Sequence, residues 1–227
     1  MISSYRTWIF DCDGVLLNSN EVKTRAFRAV ASRYGDAAAS AMVTHHVANG
    51  GVSRYEKWAW FFDCVLRRDP EPGELEALLD AFADACRRGL RQVDEDPGIH
   101  HVLAEIRRSG SKVYVVSGSD QAELRELLGE RSFGSLFDDV YGSPAPKVDL
   151  IGSIVNRPHR RPAVVVGDSL YDHDAAKANG LDFIFVSHWT ELEGWEARFA
   201  DRAVTTVDDL TELLQLDERL PSDDRAS

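Results

Sequence analysis

The stretch Thr7-Trp8-Ile9-Phe10-Asp11-Cys12-Asp13-Gly14-Val15-Leu16-Leu17-Asn18-Ser19 runs from an apolar, strand-like segment straight into two carboxylates two residues apart. In a plain strand such residues share a face, and a stable core does not hold two acids side by side. Like charges this close repel unless a cation or a shared proton lies between them. The stretch therefore reads as the first strand of a site that holds a metal and does chemistry. Cys12, between the acids, is expected to point away from them.

Working outward, residues 21–34 carry a helical pattern, and helical patterns continue to about 91. Pro70-Glu71-Pro72-Gly73 interrupts them, and 74–90 is a further helix. The polar, breaker-rich joint 93–98 marks a domain boundary. Beyond it come a helix at 100–109 and a strand at 112–116, which Ser117-Gly118-Ser119 breaks. A helix at 121–128, a short strand at Val140-Tyr141 and a helix at 147–155 follow. The strand 163–166 ends at Gly167-Asp168, and the helix 171–179 is closed by Gly180. A strand at 183–186, a strand-like run at 204–206 and a helix at 208–216 complete the pattern.

Strands alternating with helices predict an α/β fold: a Rossmann-like parallel sheet core covered on both faces. The all-helical stretch does not fit that rhythm and reads as an inserted α-helical cap domain. The expected division is a core of 1–19 and 93–218, a cap of 20–92 and a polar, disordered tail at 219–227.

A chain of 227 residues has room for one core and a small second domain. Hydrophobic residues make up 44% and charged residues 28%, the balance of a soluble globular protein. The net charge of −12 argues against nucleic acid or an anionic membrane surface as the main partner. It is compatible with a phosphorylated substrate, because a bound cation reverses the local field. Cys12, Cys64 and Cys86 show no metal-ligand spacing and read as small buried thiols of a reducing compartment. The first residues lack the apolar run of a signal peptide, and no uncharged run approaches membrane-spanning length. The expected location is cytoplasmic.

In open α/β sheets, ligands bind beyond the carboxyl ends of the strands. Asp11 and Asp13, Ser117 and Ser119, Lys147, and Asp168 and Asp172 each follow a strand-like run, so they are expected to meet at one sheet edge. The four acids are hard oxygen donors suited to Mg²⁺. Lys147 supplies a positive charge, and Ser117, Gly118 and Ser119 offer hydroxyl and backbone N–H donors to an anion. Such a set stabilises a transferring phosphoryl group. Asp11 can then attack as the nucleophile, forming an aspartyl-phosphate, while Asp13 moves the proton.

These residues resemble the haloacid dehalogenase superfamily in its phosphatase branch. The family pattern stands here as Asp11-Cys12-Asp13-Gly14-Val15, Ser117, Lys147 and Gly167-Asp168-Ser169-Leu170-Tyr171-Asp172, in order. The resemblance implies Mg²⁺ held by the Asp11 carboxylate, the Asp13 main-chain carbonyl and Asp168, with Asp172 direct or through water. It also implies a helical cap of the C1 type. Ala48-Asn49-Gly50-Gly51-Val52-Ser53-Arg54 resembles the specificity loop of C1-capped members, including the Gly-Val-Ser-Arg of β-phosphoglucomutases. Arg54 and Ser53 are thus candidate substrate-binding residues, set against a plain helix start capped by Ser53. His45 and His46, just before it, read as surface or packing residues, and the Trp58/Trp60/Phe61/Phe62 stripe as cap core.

The expected function is a Mg²⁺-dependent phosphatase acting on a small phosphorylated metabolite. The alternatives are a sugar-phosphate mutase of the β-phosphoglucomutase kind and a non-catalytic phosphometabolite-binding protein. Asp13 argues against the halide and phosphonate branches, which resemble this one but lack the second acid. No oligomeric state is expected from the sequence.

Overall fold

The computed structural model describes residues 2–200 and 204–219, with side chains described to Gln215. Six strands form one sheet: β1 (Thr7–Phe10), β2 (Lys112–Asp120), β3 (Asp139–Ser143), β4 (Ala163–Gly167), β5 (Asp182–Val186) and β6 (Thr205–Val207). Their spatial order is β3-β2-β1-β4-β5-β6, and every neighbouring pair is parallel. The chain order turns at β1, which pairs with β2 on one side and β4 on the other. That switch point opens a crevice at the carboxyl ends of these strands.

The ten helices of the described residues are α1 (Asn20–Ala31), α2 (Asp36–Ala48), α3 (Arg54–Trp60), α4 (Glu74–Leu90), α5 (Ile99–Arg108), α6 (Gln121–Gly129), α7 (Lys147–Val155), α8 (Leu170–Ala178), α9 (Trp195–Phe199) and α10 (Thr211–Arg219). β1 and β4 are buried along their whole length, as strands covered on both faces require. Trp8, Phe10, Val113, Val115, Val164 and Val166 pack on one face with Ile99, Val102, Leu103 and Ile106 of α5. The spacing of those four puts them on one helical stripe. Ile9, Tyr114, Val116 and Val165 meet α7 and α8 on the other face. Cys12 packs into the first of these clusters, away from the two acids.

All of α1 to α4 lies between β1 and β2, and these helices share an apolar cluster of their own built on Phe27, Met42, Trp58, Phe61 and Phe82. Phe62 is buried there as well, whereas Trp60 is half-buried and stacks on His45. A π-helical turn, Phe61–Leu66, extends α3.

Several details differ from the sequence expectations. β2 does not stop at Val116 but runs through Ser117-Gly118-Ser119 to Asp120, with a register irregularity against β3. Small side chains let the strand bulge instead of ending. Asp120, at the end of β2, caps α6, accepting from the Ala122 and Glu123 amides. α9 has no counterpart in the sequence reading, and α10 starts three residues late. Cys64 sits exposed on the π-helical turn, unlike buried Cys12 and Cys86. Of the expected tail, Arg219 ends α10 and 220–227 lie outside the described residues. Among the described residues, no helix is long and apolar enough to cross a membrane.

Candidate active site

Beyond Phe10 the chain keeps one more ladder bond, from the Asp11 amide to the Val166 carbonyl at 2.9 Å. It then folds into a tight turn in which the Leu16 and Leu17 amides donate to the Cys12 carbonyl at 2.9 and 3.0 Å. Gly14 makes the turn possible at φ +74°, and a Cβ there would lie 2.1 Å from Asp168 Oδ2. Glycine is required both for the backbone angle and for the approach of Asp168.

Asp11, Asp168 and Asp172 are buried, and an oxygen from each lies within 4.8 Å of the others. Lys147, the first residue of α7, reaches into this group. It bonds Asp172 and stands 3.1 Å from Asp11 Oδ1. The latter contact has the distance of an ion pair but not the angles of a hydrogen bond, so Asp11 Oδ1 remains a buried acceptor without a hydrogen bond. Burial pushes the Asp11 carboxyl up to about 7; Lys147 opposes this, and the charges of Asp172 and Asp13 add to it. Asp168 is raised well above the carboxylate range by burial and by the Asp11 and Asp172 charges. Burial alone would discharge Lys147, but Asp11 and Asp172 outweigh it and hold the ammonium charged. Three crowded acids facing one lysine leave an excess of negative charge, and an unsatisfied oxygen among them suits a hard cation.

The Asp13 carboxylate turns away from that group. It pairs with Lys23 and accepts from Ser19 Oγ at 2.5 Å and Ser119 Oγ at 2.9 Å. Ser117 Oγ lies 3.4 Å from it and accepts from the Ser119 amide at 3.1 Å. Burial would raise Asp13, but Lys23 and the serine hydroxyls prevail and hold it well below the usual carboxylate range.

Asp172 also accepts from Ser169 Oγ at 2.6 Å, and Ser169 is the N-cap of α8. Asp168 accepts from Asn20 Nδ2 at 2.9 Å, while Thr190 Oγ1 donates to the Asp168 carbonyl at 2.6 Å. A cavity of about 250 Å³ opens above the site between the sheet edge and the helices that follow β1. Asp13, Asp168, Gly118 and Ser119 line it from the core, and Lys23, Arg54, Lys57 and His46 from α1 to α3. The two sides touch closely: a Cβ on Gly118 would meet the Gly51 carbonyl at 2.2 Å.

Ser53 is the N-cap of α3, its hydroxyl accepting from the Glu56 amide at 3.3 Å. Arg54 lines the cavity, but both its terminal nitrogens are engaged by Glu123 on α6, at 2.9 and 2.6 Å. Tyr55 adds a bond to Asp120 at 2.9 Å. In this conformation Arg54 therefore joins α3 to α6 and offers no free fork to a ligand. His46 is buried beside Lys57, and His45 packs on Trp60.

Lys23, Asn20, Thr190, Lys57 and His46 were not anticipated as site residues. A signal existed for the first two. Asn20, Lys23, Thr24 and Phe27 fall on one helical face, and Asn20, Lys23 and Phe27 line the cavity.

The profile of the haloacid dehalogenase-like hydrolase family matches residues 5–180 of the chain. A tyrosine-protein kinase named PtkA from Mycobacterium tuberculosis is 28% identical over 210 residues, 88% of this chain. The chain spans 66% of that relative's length. A phosphorylated carbohydrates phosphatase from Thermotoga maritima is 25% identical over 187 residues, covering 78% of this chain and 82% of its own. The crystal structure of CbbY from Rhodobacter sphaeroides in complex with phosphate matches with a TM-score of 0.67 at 22% identity, over 92% of this chain and 96% of that one.

Proposed function

The chain belongs to the haloacid dehalogenase-like hydrolase family, and from that premise we propose that it is a Mg²⁺-dependent phosphatase of a small phosphorylated metabolite. The observation that carries this reading is the convergence of Asp11, Asp13, Ser117, Lys147, Asp168 and Asp172 at one sheet edge under a cavity. We take residues 20–92 as the cap that covers this edge and the rest of the described chain as the core.

The donor set fits Mg²⁺: all its atoms are oxygens, three of the groups are carboxylates, and one buried oxygen lacks a hydrogen bond. Asp11, Asp168, Asp172 and the Asp13 main-chain carbonyl would hold it. Bound there, the cation neutralises charge on the transferring phosphoryl group.

Asp11 attacks phosphorus and forms an aspartyl-phosphate as the ester oxygen leaves. Lys147, fixed by Asp172, holds its ammonium beside the nucleophile and faces the equatorial oxygens. Ser117 Oγ and the backbone of Gly118 and Ser119 supply donors to the same oxygens. Asp13 is kept anionic by Lys23, the form that takes a proton from the water attacking the intermediate. To protonate the leaving oxygen in the first half, it must first part from Lys23 and take up a proton from solvent, which it then hands to the ester oxygen. The close contact of Gly51 with Gly118 excludes water while the bond is broken.

A second reading keeps these residues and changes the acceptor: a hydroxyl takes the phosphoryl group in place of water. The relative named as a kinase and the Gly51-Val52-Ser53-Arg54 loop favour it. Inorganic phosphate released from a panel of phosphate esters supports the phosphatase. Transfer to a second hydroxyl without release supports the other reading.

Removal of the divalent cation by a chelator is expected to stop phosphate release. Mg²⁺ at 100 times its Kd is expected to stabilise the fold by about 2.7 kcal/mol, a Tm rise of about 5–10 °C. An unchanged melting curve would count against the metal site.

Gly118→Ala is expected to lower kcat/KM by about 10²-fold while far-UV circular dichroism stays unchanged. The added methyl pushes Gly51 and its loop off the site, and a displacement of this size costs about that much. Full activity would show that closure on the Gly118 backbone is not needed.

A further inference from the structure

Lys57 is 2% exposed, and its ammonium lies 2.7 Å from His46 Nδ1. Among the described residues, no carboxylate comes within ion-pair distance of it. The other lysine and arginine of the cavity wall are both paired: Lys23 with Asp13, and Arg54 with Glu123. A buried ammonium bonded only to a neutral imidazole leaves N–H donors unmet. The His46 ring adds to this, because its Nε2 is buried and has no hydrogen-bond partner. With Nδ1 accepting from Lys57, Nε2 carries the proton and is a second unmet donor. The acids nearest by charge are committed elsewhere: Asp13 to Lys23, Glu191 to Thr24 and Glu56 to Ser53.

A buried, unpaired cation costs stability wherever it sits, so its presence in the wall of a substrate cavity calls for a ligand. Burial and the Lys23 charge lower the Lys57 ammonium to about 7, which is the signature of a cation without a counterion. The side chain starts on α3, three residues after Arg54, and lines the cavity wall formed by the helices that follow β1. The ammonium also lies over the Phe27 ring, 5.7 Å from its centroid, a cation-π contact that supplies no counter-charge, while Phe82 in the same wall lies under Arg54.

We infer that Lys57, with His46 beside it, is the specificity-determining cation of the cap, and that the substrate carries a second anionic group which Lys57 pairs when the cap is closed. The inference rests on the phosphatase reading of the site and narrows its substrate class to phosphate esters bearing a carboxylate or a further phosphate. The two sources share one chemistry, an oxyanion that accepts from a charged donor in a dry pocket.

The test compares matched esters on the Mg²⁺-loaded enzyme. 3-Phosphoglycerate and glycerol 3-phosphate differ by a carboxylate; fructose 1,6-bisphosphate and fructose 6-phosphate differ by a phosphate. The wild type is expected to favour the anion-bearing member of one pair by at least 10-fold in kcat/KM, and the responding pair identifies the source. Lys57→Met is expected to remove that preference, and Lys57→Arg to keep part of it. If the methionine variant does not fold, Lys57→Gln is read in the same way. Equal kcat/KM within both pairs, or a preference unchanged in the variant, overturns the inference. Thermal shift with the same four esters separates its failure from failure of the phosphatase reading. A larger Tm rise with the anion-bearing ester, lost on substitution of Lys57, upholds the role of Lys57 even if no ester is hydrolysed.

Discussion

Asp11→Asn is expected to abolish phosphate release, lowering kcat by about 10⁴-fold or more, while the protein folds and melts as a single unit. The substitution is nearly isosteric. It keeps the hydrogen bond that the backbone N–H of residue 11 donates to the Val166 carbonyl, and the packing of a side chain only 3% exposed. What it removes is the negative charge, and with it the nucleophilicity of the oxygen that attacks phosphorus. No other carboxylate in the cluster can substitute. Asp172 is tied to Lys147 and Ser169, Asp168 to Asn20, and Asp13 to Lys23 and two serines. The decisive measurement is paired: phosphate release at steady state, and rapid-quench trapping of a phosphoryl group on the peptide that contains residue 11. The wild type should show the trapped group and the asparagine variant should not. Release by the variant above about 1% of the wild-type rate would assign the nucleophile elsewhere.

The parts of the fold and site that could be read in advance share one property: they are local. An apolar run followed by an acid or a serine is visible within ten residues at three strand ends of the site, and Lys147 follows a fourth strand across a short loop. The parallel sheet, its covering helices and the insertion after β1 follow from the same local rhythm. Residues whose role depends on how α1 to α3 dock were not visible. Lys23 meets Asp13 only because α1 leaves the first loop at a particular angle. Lys57 and Arg54 share α3, yet one faces the cavity unpaired while the other finds Glu123, 69 positions away. Glu123 itself looks like any surface glutamate of an amphipathic helix. Glycine and serine usually end strands, so Ser117-Gly118-Ser119 reads as a break in the sequence. Here the contact with Gly51 selects small residues, and the strand continues through them. The close approach of the Gly51 backbone to Gly118 is thus a tertiary effect that outweighs local propensity.

Lys147→Met is expected to cost more stability than any other single change at this site, and magnesium is expected to restore part of it. Lys147 is 3% exposed and is the one cation within ion-pair reach of Asp11 and Asp172 among the described residues. Its removal leaves three buried acids with oxygens inside 4.8 Å and no counter-charge. Breaking a buried ion pair from one side costs about 3–5 kcal/mol. For a chain of this size that is a Tm loss of about 10 °C in chelator. Methionine fills the space of the lysine stem, so a cavity contributes little, and the loss is electrostatic in origin. An electrostatic loss responds to a cation that binds the same oxygens. Mg²⁺ should therefore raise the Tm of the variant by more degrees than it raises that of the wild type. Activity should not follow, because the lysine also faces the phosphoryl oxygens, and kcat is expected to stay down by about 10³-fold at saturating metal. Equal metal-induced shifts in variant and wild type would place the cation away from these carboxylates. Recovery of stability together with activity would make Lys147 a purely structural counter-charge.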